Sequence, residues 1–259
     1  MSLRNPSISY YKMISTLLEK AILGQQDAIH LAATTIATCL ANGGLLHVFG
    51  TGHSHMMVEE LYGRAGGLTP VNAILLPKLM LHEDMIQATL LERRAELADE
   101  VLSDQPMKSG DVMLVISNSG RNGLAVEVAQ RAKALGLTIV ALTAVNYSRT
   151  LASRHNSGLH LFEAADIALD NLGQPGDACL VFEESGIRTG ATSTVIGAAI
   201  LNAVVVETIS LLERTGIQPP VFVSANIAGS DEMQSVYALQ KAGQRLSSPS
   251  ARSEDEDEV

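Results

Sequence analysis

Val112-Met113-Leu114-Val115-Ile116, then Ser117-Asn118-Ser119-Gly120-Arg121-Asn122, then an amphipathic run ending at Leu135-Gly136: this stretch decides the fold class. An apolar run without alternation, closed by a small polar loop, describes a strand buried on both faces, as in a parallel sheet. The helix that follows is stopped by Gly136, a residue suited to a helix C-terminus. The same strand–loop–helix unit occurs upstream, where residues 45–50 (Leu-Leu-His-Val-Phe-Gly) run into Thr51-Gly52-His53-Ser54-His55. A helix is expected there from near Ser54 until Gly66-Gly67 stops it. Further strands are expected over 71–76, 138–143 and 166–170, and helices over 8–23, 26–40, 82–102 and 190–215. Pro219-Pro220 breaks the chain before 221–224, and a last helix is expected over 231–245. Strands alternating with helices imply βαβ units, hence an α/β fold with a parallel sheet and helices on both faces. The expected organisation is N-terminal helices over 1–43, packed on the core or on a partner copy, one domain over 44–246, and a disordered acidic tail over 247–259.

Composition narrows the class. The chain has 259 residues, 46% hydrophobic and 18% charged, enough for one large domain with a sizeable core and unlike a disordered chain. Lys and Arg number 18 against 28 Asp and Glu, a net −10, which argues against a protein that neutralises nucleic-acid phosphates. Residues 247–259 alone carry −4 of that charge, so the body is only mildly acidic. Cys39 and Cys179 are far apart in apolar settings, as expected in a reducing compartment. The first residues show no basic segment followed by an apolar one, and the longest apolar stretches are interrupted by Gly, Asn and Glu. The expectation is a soluble cytoplasmic protein that contacts neither membrane nor nucleic acid.

The two loops carry the chemistry. The first is no dinucleotide fingerprint, because His55 occupies the third glycine position, and no Gly-Lys-Ser/Thr makes it a nucleotide loop. It offers a tight turn with hydroxyls at Thr51 and Ser54. The second offers several hydroxyl and amide groups before a helix whose first N–H groups and dipole favour an anion. An ordinary strand–helix turn with a Ser or Asn cap would explain either loop alone. Two such loops at the carboxyl ends of one sheet point instead to a phosphosugar-sized ligand.

Gly50-Thr51-Gly52-His53-Ser54 followed by Glu59-Glu60-Leu61-Tyr62-Gly63-Arg64 resembles the loop and helix of phosphoheptose isomerases. Ile116-Ser117-Asn118-Ser119-Gly120 is similar to the Ile-Ser-x-Ser-Gly signature of the sugar isomerase (SIS) domain superfamily. The likeness spans roughly 45–144, with a weaker part through 190–212. Gly52-His53-Ser54-His55, Leu81-His82-Glu83 and Ser224-Ala225-Asn226-Ile227 are similar to stretches of bacterial sugar isomerase domain proteins. The resemblance implies a three-layer sandwich around a five-stranded parallel sheet, and homodimers or tetramers with the site at a subunit interface. It places Ser117, Asn118, Ser119 and Asn122 around a phosphate, with Thr51 and Ser54 facing the sugar, and puts Glu60 on the proton-transfer glutamate. One departure stands out: the histidine that those isomerases carry in their last long helix aligns near Asn202. Some bacterial SIS etherases, which cleave a lactyl ether from an amino sugar phosphate, also have Asn there.

Isomerisation of an aldose needs a carboxylate or imidazole to move the proton α to the carbonyl, and elimination from C3 starts with the same proton. Glu60 is the candidate for that step, although Arg64 at i+4 offers it a plain surface ion pair; Glu59 is the adjacent alternative. His82 and Glu83 could handle the sugar oxygens, or simply sit at a helix start. His53 and His55 could donate to a ligand or, with His82 or Glu83, ligate zinc; no cysteine or clustered acid completes a metal set, and no cofactor is expected. Thr194 could cap the long helix or touch the ligand, and Arg121 could reach a phosphate. His155 is either an exposed loop histidine or a visitor to a neighbouring subunit's site. The leading expectation is an enzyme that isomerises a hexose or amino-hexose 6-phosphate. A lyase removing water or an ether group from an N-acetylamino sugar 6-phosphate, and a phosphosugar sensor without turnover, are the alternatives.

Overall fold

The computed structural model describes residues 5–222 and 224. Its strands are β1 (Leu46–Gly50), β2 (Val71–Ile74), β3 (Val112–Ile116), β4 (Thr138–Thr143) and β5 (Ile167–Asp170). They form one sheet in the order β2-β1-β3-β4-β5, and every pairing is parallel. β1 and β3 are buried along their whole length, which is why their sequences show no alternation. A separate antiparallel hairpin joins β6 (Leu180–Val181) and β7 (Arg188–Thr189).

The helices are α1 (Pro6–Leu23), α2 (Gln26–Ala41), α3 (His55–Leu61), α4 (Met85–Leu91), α5 (Ala98–Leu102), α6 (Gly123–Ala134), α7 (Val145–Arg149), α8 (Leu161–Ala164) and α9 (Ser193–Arg214). Successive strand residues point to opposite faces, so each face has its own core. Leu46, Val48, Leu114, Ile116, Leu142 and Leu169 pack with α1, α2, α3 and α9. Phe49, Met113, Val115, Ile139 and Ala141 pack with α5, α6 and α8. The result is the three-layer α/β sandwich expected from the sequence. α9 is long and apolar enough to cross a bilayer by length and composition, which the reading of interrupted apolar stretches had missed. Here it is a core helix, and Gly197 admits Met57 of α3, whose sulfur would lie 2.5 Å from any added Cβ.

The β6–β7 hairpin, α7 and α8 were not expected, and α3 ends at Leu61 rather than near Gly66; the largest difference lies over 82–102. The helix expected over 82–102 is broken into α4, a 3-10 turn at Ala95–Leu97, and α5. Asp84 starts α4 by accepting from the Ile86 and Gln87 amides, both at 2.9 Å. At its end the Glu92 carbonyl accepts from Leu124 N (3.3 Å), and Arg94 is extended, so tertiary contact overrides helix propensity. Val221 makes an isolated antiparallel bridge to Leu68. The helix expected over 231–245 and the acidic tail over 247–259 lie outside the described residues.

At the amino ends of the strands a polar cluster is buried. Asp111 accepts from the amides of Leu45 (3.0 Å) and Lys108 (2.8 Å) and faces His47 Nε2 at 3.0 Å. Asn72 Nδ2 donates to His47 Nδ1 at 3.0 Å, so the imidazole carries its proton on Nε2 and donates it to Asp111. Removing the carboxylate strands two buried donors, Leu45 N and His47 Nε2, and breaks the part-buried bond from the Lys108 amide. Asp111→Ala is therefore expected to lower unfolding free energy by about 3–5 kcal/mol, read as a fall in the urea midpoint. A change below about 1 kcal/mol would show that the cluster relaxes onto water.

Candidate functional site

β2 lies beyond β1 on one side and β4 beyond β3 on the other, so the chain leaves the two central strands in opposite directions. Such a switch point opens a crevice at the carboxyl ends of the strands. The register sets Gly50 opposite Ile116, and the loops over 51–54 and 117–122 therefore emerge side by side. Glycines let both turn sharply. A Cβ on Gly50 would lie 2.8 Å from the Ser54 carbonyl oxygen. Gly120 has φ +59°, and a Cβ there would lie 2.6 Å from Thr143 Oγ1 and 2.9 Å from Ser148 Oγ.

Between the loops lies a cavity of about 520 Å³. Thr51, His53, Ser54, Ser117, Asn118, Ser119, Asn122 and Thr194 line it. Ser117 and Ser119 stand before α6, whose first amides receive no side-chain cap. Asn118 is partly committed, since its Oδ1 accepts from Asn171 Nδ2 at 3.0 Å. His53 is exposed at the mouth.

The other candidates, Glu59 and Arg121 among them, do not line this cavity. His55 is buried and turned back onto the Gly52 carbonyl, with its ring 5.8 Å from that of His82. His82 and Glu83 are exposed, with Nε2 and Oε1 3.7 Å apart. Glu60 pairs with Arg64 and accepts from Asn202 Nδ2 of α9 at 2.8 Å. His155 is not an exposed loop histidine: the residue is half-buried and its ring is held by Glu127 (2.6 Å) and Ser157 (2.7 Å). No group of three or more metal-ligating side chains exists among the described residues.

Two acids line the cavity, and one of them is Glu92, directly after α4. Its carboxylate accepts from Thr51 Oγ1 at 3.1 Å and from Asn122 Nδ2 at 2.8 Å, one partner from each loop. Burial pushes its pKa above the ordinary carboxylate range; the bond from Thr51, the charges of Arg93 and Arg154 and the bond from Asn122 pull the other way and lose. Opposite, Asp177 holds the start of α9: Oδ1 accepts from the Thr192 and Ser193 amides, both at 3.0 Å, and Oδ2 from Ser193 Oγ at 2.6 Å. Tyr147, Thr89 and Asp177 also face the cavity.

A sequence model of the SIS domain matches residues 9–144, more than half of the chain. The chain belongs to the SIS-domain family. A UPF0309 protein of Geobacillus thermodenitrificans is 41% identical over 223 residues, covering 86% of this chain and 90% of that protein. Another, from Halalkalibacterium halodurans, is 43% identical over 222 residues, with 86% and 92% covered. A solved phosphoheptose isomerase from Francisella tularensis covers 79% of this chain and 99% of its own length at 18% identity and a TM-score of 0.51, which shows a shared fold.

In this SIS domain the residue that sequence reasoning missed is Glu92. Its partners lie 41 and 30 residues away, and a continuous helix over 82–102 makes it look like a solvated position. The available signal was Thr89 and Glu92, polar residues at i and i+3 on one helical face, both of which reach the cavity.

Two outcomes are expected. Gly120→Ala forces a β-carbon into Thr143 and Ser148 at positive φ, and should destabilise by about 1–3 kcal/mol in thermal unfolding; an unchanged Tm would mean that the loop relaxes freely. For Glu92, the native chain keeps a proton that the unfolded chain has already lost between the ordinary pKa and the raised one. This group's contribution to stability therefore falls as pH rises through that window. Glu92→Gln should gain in Tm on the wild type as the pH rises above the ordinary carboxylate pKa, whereas a difference that stays constant with pH would contradict the raised pKa.

Proposed function

We propose that this SIS domain is an enzyme that moves the C2 proton of a hexose or (N-acetyl)amino-hexose 6-phosphate in an aldose–ketose isomerisation. The observation that carries the reading is Glu92, a half-buried carboxylate with a raised pKa, held by both loops inside the cavity. The Ser117 and Ser119 hydroxyls and the uncapped start of α6 suit a phosphate monoester. Thr51, Ser54 and Thr194 offer hydroxyls to the sugar, and His53 at the mouth offers an imidazole for ring opening. The Glu92 carboxylate takes the proton from C2 of the open-chain aldose as the C1–C2 double bond forms. It then returns the proton to C1 as C2 becomes the carbonyl, while the O2 proton passes to O1. A carboxyl group whose pKa is raised towards neutrality suits transfer in both directions.

The working form is a soluble cytoplasmic homo-oligomer. Val195, Asn202 and Val206 share one face of α9, and Met56 and Glu60 one face of α3; Val195, Val206 and Met56 are exposed. Burying that face against a second copy would bring Glu60 towards the partner's cavity. The amide of Asn202 on Glu60 favours a second reading, because it cannot carry a proton as an imidazole would. That reading is elimination of water or an ether group from C3 of an N-acetylamino sugar 6-phosphate.

Proton NMR in D2O with a panel of sugar 6-phosphates, including glucosamine and N-acetylglucosamine forms, separates these readings. Deuterium entering C2 with new ketose or aldose signals is the expected result. Glu92→Gln should slow it by about 10²–10⁴-fold with ligand affinity retained. If Glu60→Gln stops exchange and Glu92→Gln does not, the proton belongs to Glu60. A vinyl proton would mean elimination. No exchange, together with ligand-dependent stabilisation on heating, would overturn enzyme activity in favour of a sensor.

A further inference from the structure

Three arginines meet beside the first turn of α6, next to the cavity but not in its lining. Arg154 N donates to the Arg121 carbonyl at 2.9 Å. Gly123 lies against Arg93 and Arg154 so closely that a Cβ would sit 2.8 Å from the first carbonyl oxygen and 3.4 Å from the second. Arg154 Nη1 donates to Asn122 Oδ1 at 3.0 Å.

Their charges are poorly answered. Arg64, Arg94 and Arg131 each have a carboxylate partner, whereas Arg93, Arg121 and Arg154 form no ion pair among the described residues. Arg121 Nε is buried without a hydrogen-bond partner. Burial first, and then the like charges of Arg121 and Arg93, hold the Arg154 pKa below its ordinary range. The nearest acid acting on the group is Glu92, but its carboxylate is already bonded to Thr51 and Asn122. Glu96 is taken by Arg94, and Glu127 by Arg131 and His155. The α6 N-terminus, with no side-chain cap, adds further positive potential. Clustered guanidinium groups with a buried N–H left over are unfavourable until an oxyanion joins them.

We propose that Arg93, Arg121 and Arg154 form a second oxyanion site, separate from the Ser117–Ser119 cradle, that binds the phosphate group of a second small molecule. None of the three side chains lines the cavity, so a ligand seated there does not fill the arginine site. The two sites share Asn122, which touches Arg154 through Oδ1 and Glu92 through Nδ2. An anion that draws Arg154 away alters both the hydrogen bonding of Asn122 and the charge facing Glu92. Occupancy of the arginine site and the affinity of the cavity are therefore coupled, each changing the other by the same factor.

The test is equilibrium dialysis of radiolabelled inorganic phosphate against the full chain at low ionic strength. The expected result is two phosphates per chain for the wild type. One should remain in Arg121→Gln/Arg154→Gln, the other in Ser117→Ala/Ser119→Ala, and none when the pairs are combined. Arg93→Gln alone, a change at an exposed residue, should weaken one class of site on the order of tenfold. Because the wild-type count needs no variant, a misfolded substitution leaves the test intact. Two phosphates surviving the double arginine change, or a single wild-type phosphate lost only with the serines, would overturn the arginine site and leave the cavity reading standing. A single phosphate lost only with the arginines would keep this site and count against the serine cradle.

Discussion

The parallel pairing of β1 with β3 is the contact on which the site depends. It places Gly50 opposite Ile116, so two polar loops leave the sheet as neighbours while the chain diverges to β2 and β4. A slip of one residue would send the inward side chains of a strand to the opposite face. Val48 and Leu114, which pack with α3 and α9, would then face the α6 layer, and the loops would no longer meet. Register is fixed here by apolar burial on both faces. The polar groups of the two loops stand beyond the strand ends, where they can vary without disturbing the core.

What the sequence disclosed follows the same division. Strands over 112–116 and 138–143 were legible to the residue because a buried parallel strand writes an unbroken apolar run. The loops were legible because glycine, hydroxyl and amide residues at strand ends have few other uses. Glu92 was not, because nothing local distinguishes it: the run Leu90-Leu91-Glu92-Arg93-Arg94 favours helix, and the break comes from Leu124 N and from the room that Gly123 leaves for the Arg93 carbonyl. His82 and Glu83 show the opposite case. Adjacent in sequence, they suggested a working pair, yet both are exposed and not in the cavity lining. Glu60 and Asn202 were singled out by separate likenesses, and folding brings them within 2.8 Å across 142 residues.

The electrostatics of the carboxylates separate Glu127 and Glu163 from Glu92 in the cavity. Glu127 is pulled below its ordinary pKa by its bonds from Arg131 and His155, and Glu163 by the His160 amide that it caps. Those acids hold the fold in their charged form. Glu92 has two hydrogen bonds and two nearby guanidinium groups, and burial still outweighs them. Burial thus disfavours the ionised state, so the fold retains this carboxylate at a loss in stability. A phosphate-bearing ligand in that cavity would exclude water and add negative charge, and both act in the same direction as burial. In the proposed isomerisation the carboxylate that would take the proton is thus made more basic by the ligand itself, while an anion on the neighbouring arginines would strengthen the effect by removing the charges that oppose it.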